Sequence, residues 1–203
     1  MSDYQFTKDW FHWAPDIWTH LIPMLPERTE EGRNFLEIGS FEGRSSVWII
    51  ENMMQDGDHL DCVDTWEGGE EHGGEDMDSV FRRFQANTKL AMNKFDRKRF
   101  ALPWRSDSLT YLGAVIGEGI QMRRDLIYID GSHIAKDVLT DACMAWPLLK
   151  KGGIMAFDDY LWGDARDILH RPKLAVDAFS SIFAEELEVI HTGYQFIVRK
   201  KGE

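Results

Sequence analysis

Four short apolar runs recur along the chain: NFLEIG (Asn34–Gly39), LDCVD (Leu60–Asp64), DLIYID (Asp125–Asp130) and IMAFD (Ile154–Asp158). Short runs that are apolar at consecutive positions suit strands covered on both sides, because successive side chains point to opposite faces of a sheet. Stretches of helical period separate or follow them: Gly43–Met54, Val80–Phe95, Val138–Leu149 and Lys173–Glu186. In Val138–Leu149, the residues Val138, Leu139, Ala142, Trp146 and Leu149 share one face, and Lys-Lys-Gly-Gly closes the helix. Strands alternating with helices pair in parallel through crossovers. The pattern therefore predicts an α/β protein with a doubly wound, mostly parallel sheet in three layers, α/β/α. The segment LEVIHTGYQFIVRK holds two apolar runs around Thr192-Gly193. It reads as a C-terminal β-hairpin that adds an antiparallel strand.

No internal repeat is visible, and a length of 203 residues fits one domain, residues 31–203, with a helical extension over residues 1–30. That extension carries Trp10, Phe11, Trp13, Ile17, Trp18 and Leu21 at helical spacing between Asp9 and Leu25, ended by Pro23 and Pro26. It packs on the core, covers the substrate side, or forms the contact of a homo-oligomer. Glu67–Asp78 (EGGEEHGGEDMD) is acidic and glycine-rich, a solvated loop or an active-site flap.

Charge narrows the partners. Lys and Arg number 23 against 35 Asp and Glu, a net charge of -12. Such a field repels phosphates and anionic lipid, so neither nucleic acid nor a membrane is an expected partner. No apolar stretch is long enough to span a bilayer. Met1–Trp10 holds acids and aromatics where a secretory signal has basic residues and an apolar run, so the cytoplasm is the expected location. Cys62 and Cys143 form no C-x-x-C pair and read as reduced core thiols.

Three features carry chemistry. In FLEIGSFEGRS, Phe35–Ser45, an acid ends a strand and Gly39 and Gly43 open a helix. Gly39 permits a tight turn, and unpaired N–H groups of a helix start attract a small anionic group. Phe41 occupies the place of the second glycine of G-x-G-x-x-G, which makes a diphosphate the poorer fit. Asp64 closes the next strand, where an acid in a doubly wound sheet accepts hydrogen bonds from ribose hydroxyls. Asp130, Asp158 and Asp159 end two further strands. Parallel strands share one carboxyl edge, where crowded acids cap helices or hold a hard cation such as Mg²⁺.

LEIGSFEGRSSV, VDTWEG, IDGSH and GGIMAFDDY, in this order, resemble class I S-adenosylmethionine-dependent methyltransferases. More narrowly, the chain is similar to the metal-dependent small-molecule O-methyltransferases of the catechol and macrolide-sugar types, over Phe35–Tyr160 and the hairpin. The resemblance implies a Rossmann-like fold and a Mg²⁺-assisted methyl transfer from S-adenosylmethionine to a hydroxyl of a small molecule; the alternatives are a metal-independent methyltransferase of the same fold and a non-catalytic interaction module that keeps the cofactor fold. A sugar or sugar-bearing acceptor is the first choice and a catechol-like phenol the second. It implies that Glu37, Gly39, Ser40, Gly43 and Ser45 cradle the methionine part of the cofactor, with Ser45 at its carboxylate. Asp64 would take the ribose, and Ser106 and Asp107 the adenine side. Asp130, Asp158 and Asp159 match metal ligands. His133 falls where the catechol enzymes carry a catalytic lysine and is the candidate base, with Asp130 as its rival. The Asn/Asp-Pro-Pro-Tyr signature of nucleic-acid amino methylases is missing. Trp66, Trp104 and Trp162 follow candidate strands and either pack or line a flat pocket.

Overall fold

The computed structural model describes residues 4–69, 72–96, 98–119 and 123–202. The first three residues of the N-terminal extension and Glu70 and Glu71 of the acidic loop lie outside the described residues.

The strands are β1 (Asn34–Ile38), β2 (His59–Asp64), β3 (Phe100–Arg105), β4 (Arg124–Ile129), β5 (Leu149–Phe157), β6 (Leu187–Thr192) and β7 (Phe196–Lys200). They form one sheet in the order β3-β2-β1-β4-β5-β7-β6. The pairs from β3 to β5 are parallel, and β7 runs antiparallel between β5 and β6. The anticipated doubly wound sheet with its terminal hairpin is therefore present. Strand order reverses between β1 and β4, and at such a switch point the loops diverge and leave a crevice at the carboxyl edge.

Alternation along each strand builds a core on both faces. Phe35, Leu60, Cys62, Leu126 and Tyr128 face α1 (Ala14–Leu21), α2 (Arg44–Trp48) and α3 (Met77–Asn93). Leu36, Ile38, Val63, Ile127 and Ile129 face α4 (Ser108–Gly117), α5 (Ala135–Ala145) and α6 (Lys173–Ile182). Trp18 of α1 is fully buried among the first group, so the helix of the extension is packed into the core.

Several boundaries differ from the sequence reading. The N-terminal helix covers Ala14–Leu21 and a 3-10 turn at Ile22–Met24, not all of Asp9–Leu25, and Pro15 sits at its start. Helix α2 passes into a π-helical turn, Ile49–Met53. Asp76 caps α3 by accepting from Ser79 N–H at 3.2 Å, which starts that helix inside the acidic stretch. Lys150–Gly153 does not close α5. Pro147 lacks an N–H and turns the chain at Trp146–Leu148, and the Lys-Lys-Gly-Gly stretch bulges within β5, with Gly152 at φ +77°. Helix α6 stops at Ile182, short of Glu186. Cys143 is exposed, because it falls off the α5 face that buries Val138, Ala142 and Ala145; Cys62 alone is a core thiol.

Candidate active site at the carboxyl edge

The turn from β1 to α2 is built around a buried acid. Glu37 is inaccessible and accepts hydrogen bonds from Ser40 Oγ (2.9 Å), Ser45 Oγ (2.5 Å) and Ser46 Oγ. Burial raises its pKa, the hydroxyls pull it back, and the charge of Asp64 adds to the rise. Among the described residues no basic side chain bonds it.

Asp64 closes the turn from the neighbouring strand. Its Oδ2 accepts from the N–H groups of Ser40 and Phe41, each at 2.9 Å, and its Oδ1 from Trp66 N–H at 2.7 Å. Phe41 and Trp66 hold left-handed backbones, φ +46° and +47°. Strain of this kind at non-glycine residues persists where the surrounding structure over-determines it. Gly43, at φ +77°, starts α2 against Phe84 of α3.

The second half of the site follows β4 and β5. Tyr128, fully buried, donates its hydroxyl toward Asp158 Oδ2 and lies 3.0 Å from Asp130 Oδ2. Gln195 Nε2 donates to Asp158 Oδ2 at 3.3 Å, Asp159 N–H to Asp158 Oδ1 at 2.8 Å, and Trp18 Nε1–H to Gln195 Oε1 at 2.7 Å. Burial raises the pKa of Asp130 and of Asp158, and carboxylate neighbours raise both further. His133 Nε2 lies 2.6 Å from Asp159 Oδ2, and its ring stacks on Trp162 at 4.2 Å. Asp159 is itself left-handed, φ +55°.

The two halves meet at Gly39. A Cβ there would lie 2.0 Å from the carbonyl oxygen of Asp130, and Asp130 N–H donates to Ile38 O at 2.8 Å. The sequence-predicted turn residues and the three acids with His133 thus share one edge.

A family model described as a methyltransferase domain matches residues 36–160. The chain belongs to this methyltransferase family. The S-adenosylmethionine-dependent methyltransferases that the sequence resembles are the class to which it belongs. Its fold is shared by an O-methyltransferase from Bacillus cereus solved with S-adenosylhomocysteine (TM-score 0.64, 15% identity, covering 99% of this chain and 84% of that one). It is shared too by TomG of Streptomyces achromogenes, an O-methyltransferase of tomaymycin synthesis solved with S-adenosylmethionine (0.64, 18%, 93% and 80%). A third is MycE of the mycinamycin pathway, solved with Mg and S-adenosylhomocysteine (0.58, 15%, 96% and 51%). No functionally curated protein matches the chain in sequence.

Within the methyltransferase, Asp107 caps α4 by accepting from Thr110 N–H at 2.8 Å, and this bond with that from Thr110 Oγ1 lowers its pKa. Ser106 N–H donates to Asp64 O at 3.0 Å, beside the ribose candidate. Trp66 is a core residue against Phe81 and Phe84, Trp104 donates to Asp61 from an exposed position, and Trp162 stacks on His133. Tyr128 and Gln195 were missed by sequence reasoning. Tyr128 left one signal, a hydroxyl in an otherwise apolar buried run, whereas Gln195 in a hairpin turn left none.

Among the described residues no three His, Cys, Asp or Glu side chains are arranged to hold a metal ion. Asp158 and Asp159 are turned to Tyr128, Gln195 and His133.

Proposed function

We propose that this methyltransferase moves a methyl group from S-adenosylmethionine to a hydroxyl of a small molecule, with His133 as general base and Asp159 orienting it. One observation carries the reading: Gly39 of the hydroxyl-lined Glu37 turn packs against the backbone of Asp130 and Gly131, in the same segment that leads to His133 and its partner Asp159. The cofactor, when bound, supplies a methyl group on a sulfonium open to in-line attack. Glu37, Gly39, Ser40, Gly43 and Ser45 receive its methionine part, the buried carboxylate of Glu37 answering its positive charge. Asp64 takes the ribose on the lone pairs left by its backbone donors, and Ser106 and Asp107 flank the adenine.

A hydroxyl is a weak nucleophile at neutral pH. His133, held at Nε2 by Asp159, takes the hydroxyl proton as oxygen attacks. Stacking on Trp162 holds the ring plane, and Asp130 is the alternative base. A sugar or sugar-bearing acceptor is the first choice and a catechol-like phenol the second, in line with the natural-product setting of TomG and MycE. The net charge of -12 argues against nucleic acid and anionic membrane, and unpaired Cys62 and Cys143 suit the cytoplasm.

Transfer of labelled methyl from S-adenosylmethionine to a panel of hydroxylated sugars, macrolides and phenols tests this. The expected result is an O-methyl product and a loss of about 10²–10⁴ in kcat for His133→Ala. Product on nitrogen, or an unaffected H133A enzyme, overturns it.

A second reading keeps Mg²⁺ at Asp130, Asp158 and Asp159. Its support is the crowding of three carboxylates at one edge, where Asp158 and Asp159 raise the pKa of Asp130 and Asp159 raises that of Asp158. It requires Asp158 to leave Tyr128 and Asp159 to leave His133. Activity that survives chelation excludes it; activity lost in chelator and restored by Mg²⁺ establishes it.

A further inference from the structure

Residues 4–10 have no regular structure, and most are exposed. Their polar groups are nonetheless held by the proposed cofactor turn and by α3. Glu42 lies inside that turn, is 2% exposed, and belongs to none of the chemistry above. It accepts from Thr7 N–H at 2.6 Å, Thr7 Oγ at 2.8 Å and Arg83 Nε at 2.5 Å. Asn87 of α3, 1% exposed, accepts from Gln5 N–H at 2.8 Å and donates to Gln5 O at 3.0 Å and to Glu42 O at 2.9 Å. Asp9 pairs with Arg44, the first residue of α2, at 2.6 Å, and Lys8 with Glu75 at 3.2 Å. Trp10 packs on Phe41 with ring centroids 5.1 Å apart.

We propose that Glu42 is a positioning residue for the cofactor turn, and that through it the N-terminal strap and cofactor affinity are coupled. The proposal rests on the cofactor reading above. A segment without regular structure, exposed at most of its residues, opens locally more readily than the helices it lies on. When it opens, the buried carboxylate of Glu42 loses both Thr7 donors and keeps Arg83 alone, while the turn loses its contacts at Phe41, Glu42 and Arg44. A turn so loosened must be re-ordered by a ligand. Coupling of this kind is reciprocal: whatever the strap adds to ligand affinity, the ligand adds to strap order.

The test uses the full chain and S-adenosylhomocysteine as probe. Amide hydrogen exchange at Gln5 and Thr7 is measured with and without the probe. Probe affinity and melting temperature are measured for the wild type, Thr7→Val and Thr7→Ser. The expected result is slower exchange at Thr7 with probe bound, and affinity about fivefold or more weaker for T7V and restored by T7S. Exchange unchanged by bound probe, or a T7V variant with a lower melting temperature but wild-type affinity, overturns the coupling. Failure of the wild-type chain to bind the probe overturns instead the cofactor reading beneath it.

Discussion

Gly39 has no room for a side chain. Its φ of +86° is one that L-residues avoid, and a Cβ would collide with Asp130 O at 2.0 Å. Gly39→Ala is therefore expected to cost at least about 3 kcal/mol and to part the turn from the His133 half of the site. Thermal melts and S-adenosylhomocysteine binding check both effects; a variant with wild-type stability contradicts the contact. Most of the site's acids and glycines were legible because they end strands in a recognisable order. Glu37, Gly39, Asp64, Asp130 and His133 all reach the carboxyl edge. What could not be read is partnership across sequence distance. Ser46 on Glu37, Gln195 on Asp158 and Thr7 on Glu42 depend on how elements pack, and no local pattern encodes them.

At the scale of elements, β3 and α4 are joined to the sheet by a buried polar network. Asp61 of β2 accepts from Arg124 Nη2 and Tyr111 OH, each at 2.7 Å, and from Trp104 Nε1 at 2.9 Å. Removing one partner leaves a buried charge unmatched, so Asp61→Ala is expected to lose about 3–5 kcal/mol, whereas the double replacement Asp61→Leu with Arg124→Met loses far less. Denaturant unfolding of the two variants decides this; equal losses contradict it. A second network joins α5 to α4, where Ser108 Oγ donates to Asp141 at 2.6 Å. Burial, with the charges of Asp137 and Asp107 adding, pushes the Asp141 pKa from 3.8 up to about 6. The folded state thus binds this proton more tightly than the unfolded state. Its stabilising contribution is full at low pH and is lost as pH rises from about 4 to 6. Asp141→Asn should abolish that dependence and be the more stable protein above pH 6 by roughly 2 kcal/mol. Melting curves across that pH range measure it, and parallel curves would refute it. Neither β3 nor α4 was assigned from sequence. β3 is an edge strand interrupted by Pro103, with Phe100, Leu102 and Trp104 exposed, so it shows neither a buried run nor clean alternation. The inner strands were legible because burial on both faces makes them continuous apolar runs.

For the whole molecule, one arrangement brings the chemistry together. The order β3-β2-β1-β4-β5-β7-β6 puts the β1–β4 switch at the middle of the sheet. The acids of β1 and β2 end on one side of that switch, and those following β4 and β5 on the other. The N-terminal helix is packed beneath the second half through Trp18 and Gln195, and the strap before it grips the first half through Glu42. This edge is the proposed site of a cationic, ribose-bearing cofactor, and Phe41 stands where a dinucleotide diphosphate would need a glycine. The most direct measurement is a calorimetric titration of the full chain with S-adenosylhomocysteine, with NAD titrated alongside. Binding of S-adenosylhomocysteine at about micromolar affinity, with no heat from NAD, is the predicted result. Heat from NAD and none from S-adenosylhomocysteine would contradict the assignment of the turn and of the acids around it.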